Sequence, residues 1–116
     1  MTSVPILPGT VTVLLDGTGK GTAKIGPQGA REVWNPVAAA VSVAGPVTNE
    51  AQCKIFVGTD ATMANYVDGT LSGSTGDSTG RVSSYPIPFG QFIFATWTGG
   101  DAGRIATLKV TGLRNV

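Results

Sequence analysis

Glycine and proline cut this chain into short apolar runs, and that punctuation restricts it to strands more than any other feature does. Within the runs, the period is two. Val11, Val13 and Leu15 alternate with Thr10, Thr12 and Leu14, and the turn Asp16-Gly17-Thr18-Gly19 follows. Thr22 to Ile25 reads as the returning arm of a hairpin that ends at Gly26-Pro27. The segment Glu32 to Ala44 places Val37, Ala39, Val41 and Val43 on one face. Its alanines allow a helix, but Asn35-Pro36 precedes them, valines dominate, and Gly45-Pro46 ends it, so a strand is expected.

Further along, Gln52 to Gly58 predicts a strand with Cys53, Ile55 and Val57 on one side. Asp60 to Asn65 is either one helical turn or an extended connection. Tyr66 to Leu71 reads as a strand broken at Asp68-Gly69, and Ser72 to Gly80 as a mobile polar loop. Gln91 to Trp97 is apolar on both faces, as in a central strand covered on each side. Ala106, Leu108 and Val110 alternate with Ile105, Thr107 and Lys109 after the turn Gly99 to Gly103. Seven or eight strands at these spacings describe a β-sandwich or barrel. No segment recurs at a fixed period, and 116 residues make one domain.

The chemistry-bearing residues are few. There is no histidine, and 13% of residues are charged. Near neutral pH, histidine is the usual proton carrier, so serine and threonine nucleophiles lack an activating partner here. The formal charge of +1 and the scattered cations argue against a nucleic-acid partner. No apolar stretch approaches membrane-spanning length, and no basic region precedes the apolar residues near Met1, so neither membrane nor leader is expected. The single cysteine, Cys53, reads as a buried small hydrophobe and excludes an internal disulfide.

Several motifs have ordinary explanations. Gly17-Thr18-Gly19-Lys20-Gly21-Thr22 resembles the end of a phosphate loop, but Leu14 and Gly21 stand where glycine and Ser/Thr are required, and no helix follows. It reads as a glycine-rich turn. Asp16, Asp68, Asp77 and Asp101 sit in turns or polar loops without the ligand spacing of a calcium loop, so no metal is expected. Glu32 and Glu50 are the only glutamates, and nothing places a carboxylate pair across a cleft. Trp34, Tyr66, Tyr85 and Trp97 are the rings a sugar-binding module would use, with Trp97 read as core. The octet ending at Pro8 reads as an extended arm over residues 1–9, ahead of a domain over 10–116. That arm either lies on its own domain or reaches a neighbour. Thr2, Ser3, Val4, Pro5, Ile6, Leu7 and Pro8 are the candidate partner contacts.

The order Tyr66-Val67-Asp68-Gly69-Thr70, Gly73-Ser74-Thr75-Gly76-Asp77 and Pro88-Phe89-Gly90-Gln91-Phe92-Ile93-Phe94-Ala95-Thr96-Trp97-Thr98-Gly99-Gly100-Asp101 resembles small virion proteins of tailed bacteriophages, those of actinobacterial hosts in particular. Gly29-Ala30-Arg31-Glu32-Val33-Trp34 fits the same pattern, so the likeness spans residues 10–116. The resemblance implies an all-β, jelly-roll-like β-sandwich of seven to eight antiparallel strands. It also implies a structural role: a capsid decoration (cement) protein on the head surface, contacting the major capsid protein or other virion proteins as a homo-oligomer. Such a protein is made in the host cytoplasm and ends in the virion. The resemblance contains no site motif, so no catalytic or cofactor residues are carried over. The rival expectation is a tail or host-adsorption component with a carbohydrate-binding role.

Overall fold

Alternating β-branched and threonine-rich runs become strands because one side of each is buried and the other meets solvent. The computed structural model describes residues 2–72 and 76–116. Its strands are β1 (Ser3–Pro5), β2 (Thr10–Leu14), β3 (Gly21–Ile25), β4 (Val33–Val43) and β5 (Ala51–Gly58). They continue with β6 (Tyr66–Ser72), β7 (Asp77–Thr79), β8 (Ile87–Pro88), β9 (Phe92–Thr98) and β10 (Ile105–Asn115). Single 3-10 turns occupy Met63–Asn65 and Arg81–Ser84. The protein is all-β and antiparallel, in two sheets.

The larger sheet is built on β10 and β4, each 11 residues long. Its order is β1-β10-β4-β7, with β2 also on β10 and β8 also on β4. The smaller sheet runs β3-β9-β5-β6. Ten strands are therefore described where seven or eight were expected. The difference arises at the edges of the larger sheet, where short strands share one long neighbour. β1 takes Leu113 to Asn115 while β2 takes Ile105 to Lys109, and β8 and β7 divide β4 in the same way.

Both sheets turn their apolar faces to one core. Ala39, Val41, Val43, Ala106, Leu108 and Val110 come from the larger sheet, and Ala23, Ile25, Cys53, Ile55, Ile93, Ala95 and Trp97 from the smaller. Each fully buried Val, Leu or Ile contributes roughly 1.5–3 kcal/mol. The expected phase of β4 holds for Ala39, Val41 and Val43 but fails at Val37, which is 62% exposed. A β-bulge is the cause. Thr111 pairs with Ala38 and the next residue, Gly112, pairs with Pro36, so Val37 is the extra residue. The skip lets Trp34 and Pro36 face inward as well as the odd-numbered residues beyond the bulge. It also places Pro36 where a sheet tolerates a missing donor.

Two further expectations are corrected. β2 and β3 do not form a hairpin, because β2 pairs with β10 and β3 with β9. The turn between them changes sheets instead. One oxygen of Asp16 accepts the Thr18 and Lys20 N–H groups and the Thr18 hydroxyl. Gly19, at φ 75°, packs its backbone on Gly100, leaving no room for a side chain. The polar stretch Ser72 to Gly80 is not simply a loop either. Asp77–Thr79 pairs with Ala39 to Val41, and Thr79 is buried with its hydroxyl donating to Asp68 at 2.6 Å. Polar residues serve as an edge strand because the backbone does the pairing. Positions 73–75 of that stretch lie outside the described residues. β6 runs through Asp68-Gly69 without a break and takes up the irregularity as a register shift opposite Ile55 and Phe56. Asp60 pins the Met63–Asn65 turn by accepting from Thr62 and Asn65 at 2.8 Å each.

Candidate functional site

The N-terminal segment is seated on its own domain. Ser3 to Pro5 pair with Asn115 to Leu113, and Val116 N–H donates to Thr2 O at 3.0 Å. Ile6 is buried and donates its N–H to Gly112 O at 3.1 Å. Of the seven candidate contact residues, Ile6 therefore belongs to the core, Val4 is half-buried, and Thr2, Ser3, Pro5, Leu7 and Pro8 are exposed.

A buried polar clamp holds this end together. Glu32 accepts the indole N–H of Trp34 at 2.8 Å and pairs with Arg114 at 3.1 Å. Arg114 also donates to Pro5 O at 3.1 Å, so one guanidinium links the N-terminal strand to Glu32. Trp34 is fully buried, which removes it from any sugar-stacking role, and Trp97 is core. Glu32 and Arg114 are 82 positions apart, beyond the reach of local pattern reading.

The outer face of the larger sheet at the same end mixes apolar residues with Ser3, Asn35 and Asn115. Pro5, Leu113 and Asn35 stand side by side across three strands, and Ser3, Asn115, Val33 and Pro88 form the adjoining row. Leu113 and the bulged Val37 are at least half exposed, as are Phe89 and Val116. At the opposite end of β10, Ile105 and Leu14 are direct cross-strand partners, and each is at least half exposed.

The smaller sheet carries a different surface. Lys24, Phe94, Phe56 and Tyr66 are successive cross-strand partners over its four strands. They lie on the face away from the core, because Ile93, Ala95, Ile55 and Val57 face in. Phe56 and Tyr66 meet edge-to-face at 5.9 Å, as do Phe92 and Phe94, and Lys24 Nζ sits 4.6 Å from the Phe92 ring centre. The alternation that puts Cys53, Ile55 and Val57 inside already places Phe56 outside. That signal was present in the sequence and was missed.

At the end of this row, Tyr66 borders a cleft of about 490 Å³ lined by Gln52, Gly69, Thr70 and Asp77. A side-chain carbon at Gly69 would lie 2.5 Å from the Tyr66 hydroxyl, so the ring extends over the glycine. Asp77 accepts the Thr70 hydroxyl and the Ser78 N–H. These bonds hold its carboxyl below the usual carboxylate range. Tyr85 is 40% exposed and forms no part of the cleft.

The remaining candidates are structural. Asp101 ties down the Thr48 and Asn49 N–H groups, and those bonds lower its pKa. Asp68 accepts from Thr79 and faces Arg81 at 3.8 Å. Burial pushes the Cys53 thiol up to about 12, a value at which it is neither nucleophile nor ligand near neutral pH. Among the described residues, no three His, Cys, Asp or Glu side chains gather to hold a metal ion. Comparison with protein-family models, curated proteins and solved structures gives no significant match to this chain.

Proposed function

We propose that this chain is a jelly-roll sandwich acting as a structural protein of a tailed-bacteriophage virion, a capsid decoration protein docked on the major capsid protein. The orders β2-β10-β4-β7 and β3-β9-β5-β6 support the jelly-roll reading, since strands from opposite ends of the chain become neighbours, β2 with β10 and β3 with β9, in the manner of that fold. The observation that carries the docking reading is the end of the larger sheet where exposed Pro5 pairs with Leu113, Val33 pairs with Pro88, and the bulge turns Val37 outward, with Asn35 and Asn115 among them. A protein that works by surface contact needs such a patch bordered by polar residues. Thr12, Thr107 and Ser42 supply the polar ground along the same face. The pair Leu14–Ile105 at the far end gives each copy a second apolar contact, suited to neighbours of its own kind on a lattice.

Antibody labelling of purified particles of the encoding phage, with mass spectrometry of the same particles, tests the proposal. Regular labelling of the head supports decoration. Labelling confined to the tail, or absence of the chain from the particle, overturns it.

A further inference from the structure

We infer that the cleft beside Tyr66 binds a neutral pyranose sugar. The cleft lies where the edge strand β6 of the smaller sheet meets β7 of the larger one, and it shares no lining residue with the docking surface proposed above.

The argument starts from the ring. Tyr66 is 39% exposed, yet it is held from two directions. Phe56, itself 4% exposed, meets it at an interplanar angle of 75°, and Phe94 continues the row behind. Gly69 lets the hydroxyl end lie flat against β6, where any larger residue would lift it. A tyrosine fixed in this way offers an apolar face with little ordering cost on binding.

The polar groups border the ring around the sheet edge: Gln52 is on the same outward face, and Thr70 and Asp77 are on the far side of β6. Gln52 brings an amide that donates and accepts, Thr70 a hydroxyl, and Asp77 an ionised carboxylate with lone pairs to spare. Asp77 does not swing freely, because Thr70 and Ser78 both donate to it. A pyranose has the matching shape: a C–H face for the ring and a rim of hydroxyls for the amide and carboxylate. Other ligand classes fit less well. An anion meets the Asp77 charge, and a wholly apolar ligand leaves the Gln52 amide and the spare Asp77 lone pairs unused. A metal ion lacks a ligand set among the described residues. The cleft is a shallow, open depression of about 490 Å³, which suits a sugar lying on the surface with its outer hydroxyls in water. A second hollow, of about 530 Å³, lies against Ala40, Ser42, Ser78, Thr107 and Lys109 and has no ring to stack on.

The test is an amide-resolved NMR titration of the whole chain with methyl β-glucoside, methyl α-mannoside, methyl β-galactoside and N-acetylglucosamine, with glycerol as the control polyol. At least one sugar is expected to give saturable shifts centred on Gln52, Gly69 and Thr70. Tyr66→Ala should weaken that sugar by about tenfold or more, while Tyr66→Phe retains most of the binding. Gln52→Ala should weaken binding without lowering the melting temperature, since Gln52 is exposed; it carries the test if Tyr66→Ala unfolds. Leu113→Glu, on the other sheet, should leave sugar binding unchanged. Saturation by none of the four sugars, shifts equal to those with glycerol, or unchanged affinity in Tyr66→Ala or Gln52→Ala would each overturn the assignment.

Discussion

Replacing Gly112 with alanine tests the bulge that turns Val37 outward. The new carbon would stand 2.5 Å from Asn35 O, 2.7 Å from Pro36 Cα and 2.8 Å from Val37 N. All three are backbone atoms of the neighbouring strand, so no side chain rotates aside to make room. The residue also has φ 147°, a region that side chains other than glycine's rarely enter. A conformation of that kind costs about 1–3 kcal/mol on its own. The overlap raises the expected loss to about 4 kcal/mol, the upper end for single substitutions. For a domain of this size, that lowers the melting temperature by about 12–16 °C. Gly17→Ala is the internal control, because nothing lies within 4 Å of its added carbon. It should shift stability by no more than about 1 kcal/mol. Deleting Val37 restores one-to-one pairing of β4 with β10, so Gly112→Ala should cost at least about 1 kcal/mol less in that background. Thermal and urea unfolding followed by circular dichroism read the parent and all four variants. A Gly112→Ala melt within a few degrees of the parent, or strict additivity with the deletion, would refute the reasoning.

Three other predictions follow from single sites. Glu32→Gln keeps an acceptor for Trp34 but leaves Arg114, 24% exposed, without its charge partner; it should lose about 1–2 kcal/mol, and Glu32→Ala about 3 kcal/mol, in urea unfolding. Cys53 should resist a thiol reagent in the native protein at pH 8 and react fully in denaturant. Its raised thiol pKa means that the unfolded state ionises first, so stability should fall from about pH 8.5 upward. Asp16, Asp77 and Asp101 have depressed pKa values from the N–H and hydroxyl groups they hold. Their stabilising contribution is complete above the unfolded carboxylate pKa, about 3.9, and should be lost as pH drops below it, visible as an acid-side fall in melting temperature.

The sequence declared its class through local rules and hid its long-range pairings. Period-two alternation identified β2, β5 and β10, and a run apolar on both faces identified β9. Alternation does not say which strand lies alongside. Thr22 to Ile25 read as the partner of the run before it, yet the Asp16 turn carries the chain across to β9. Val37 was misplaced because a bulge shifts phase by one residue, and the glycine that permits it lies on another strand, at Gly112. Asp77 to Thr79 looked like loop material because edge strands need little apolar content. At the candidate sites, proline spacing marked the N-terminal segment as extended but not which surface it lies on, and ring chemistry did not separate Tyr66 from Trp34, Tyr85 or Trp97. The Glu32–Arg114 clamp and the cleft around Gly69 depend on residues brought together only by the sheets.

The decoration role proposed above requires the exposed end of the larger sheet to lie against a capsid. Co-sedimentation of the purified chain with phage heads stripped of it measures this directly, comparing the parent with Leu113→Glu and Val37→Glu. Both side chains are at least half exposed, so the folded domain should survive each change. The account predicts saturable binding by the parent and a loss of about tenfold or more in each variant. Equal binding by all three proteins would contradict it.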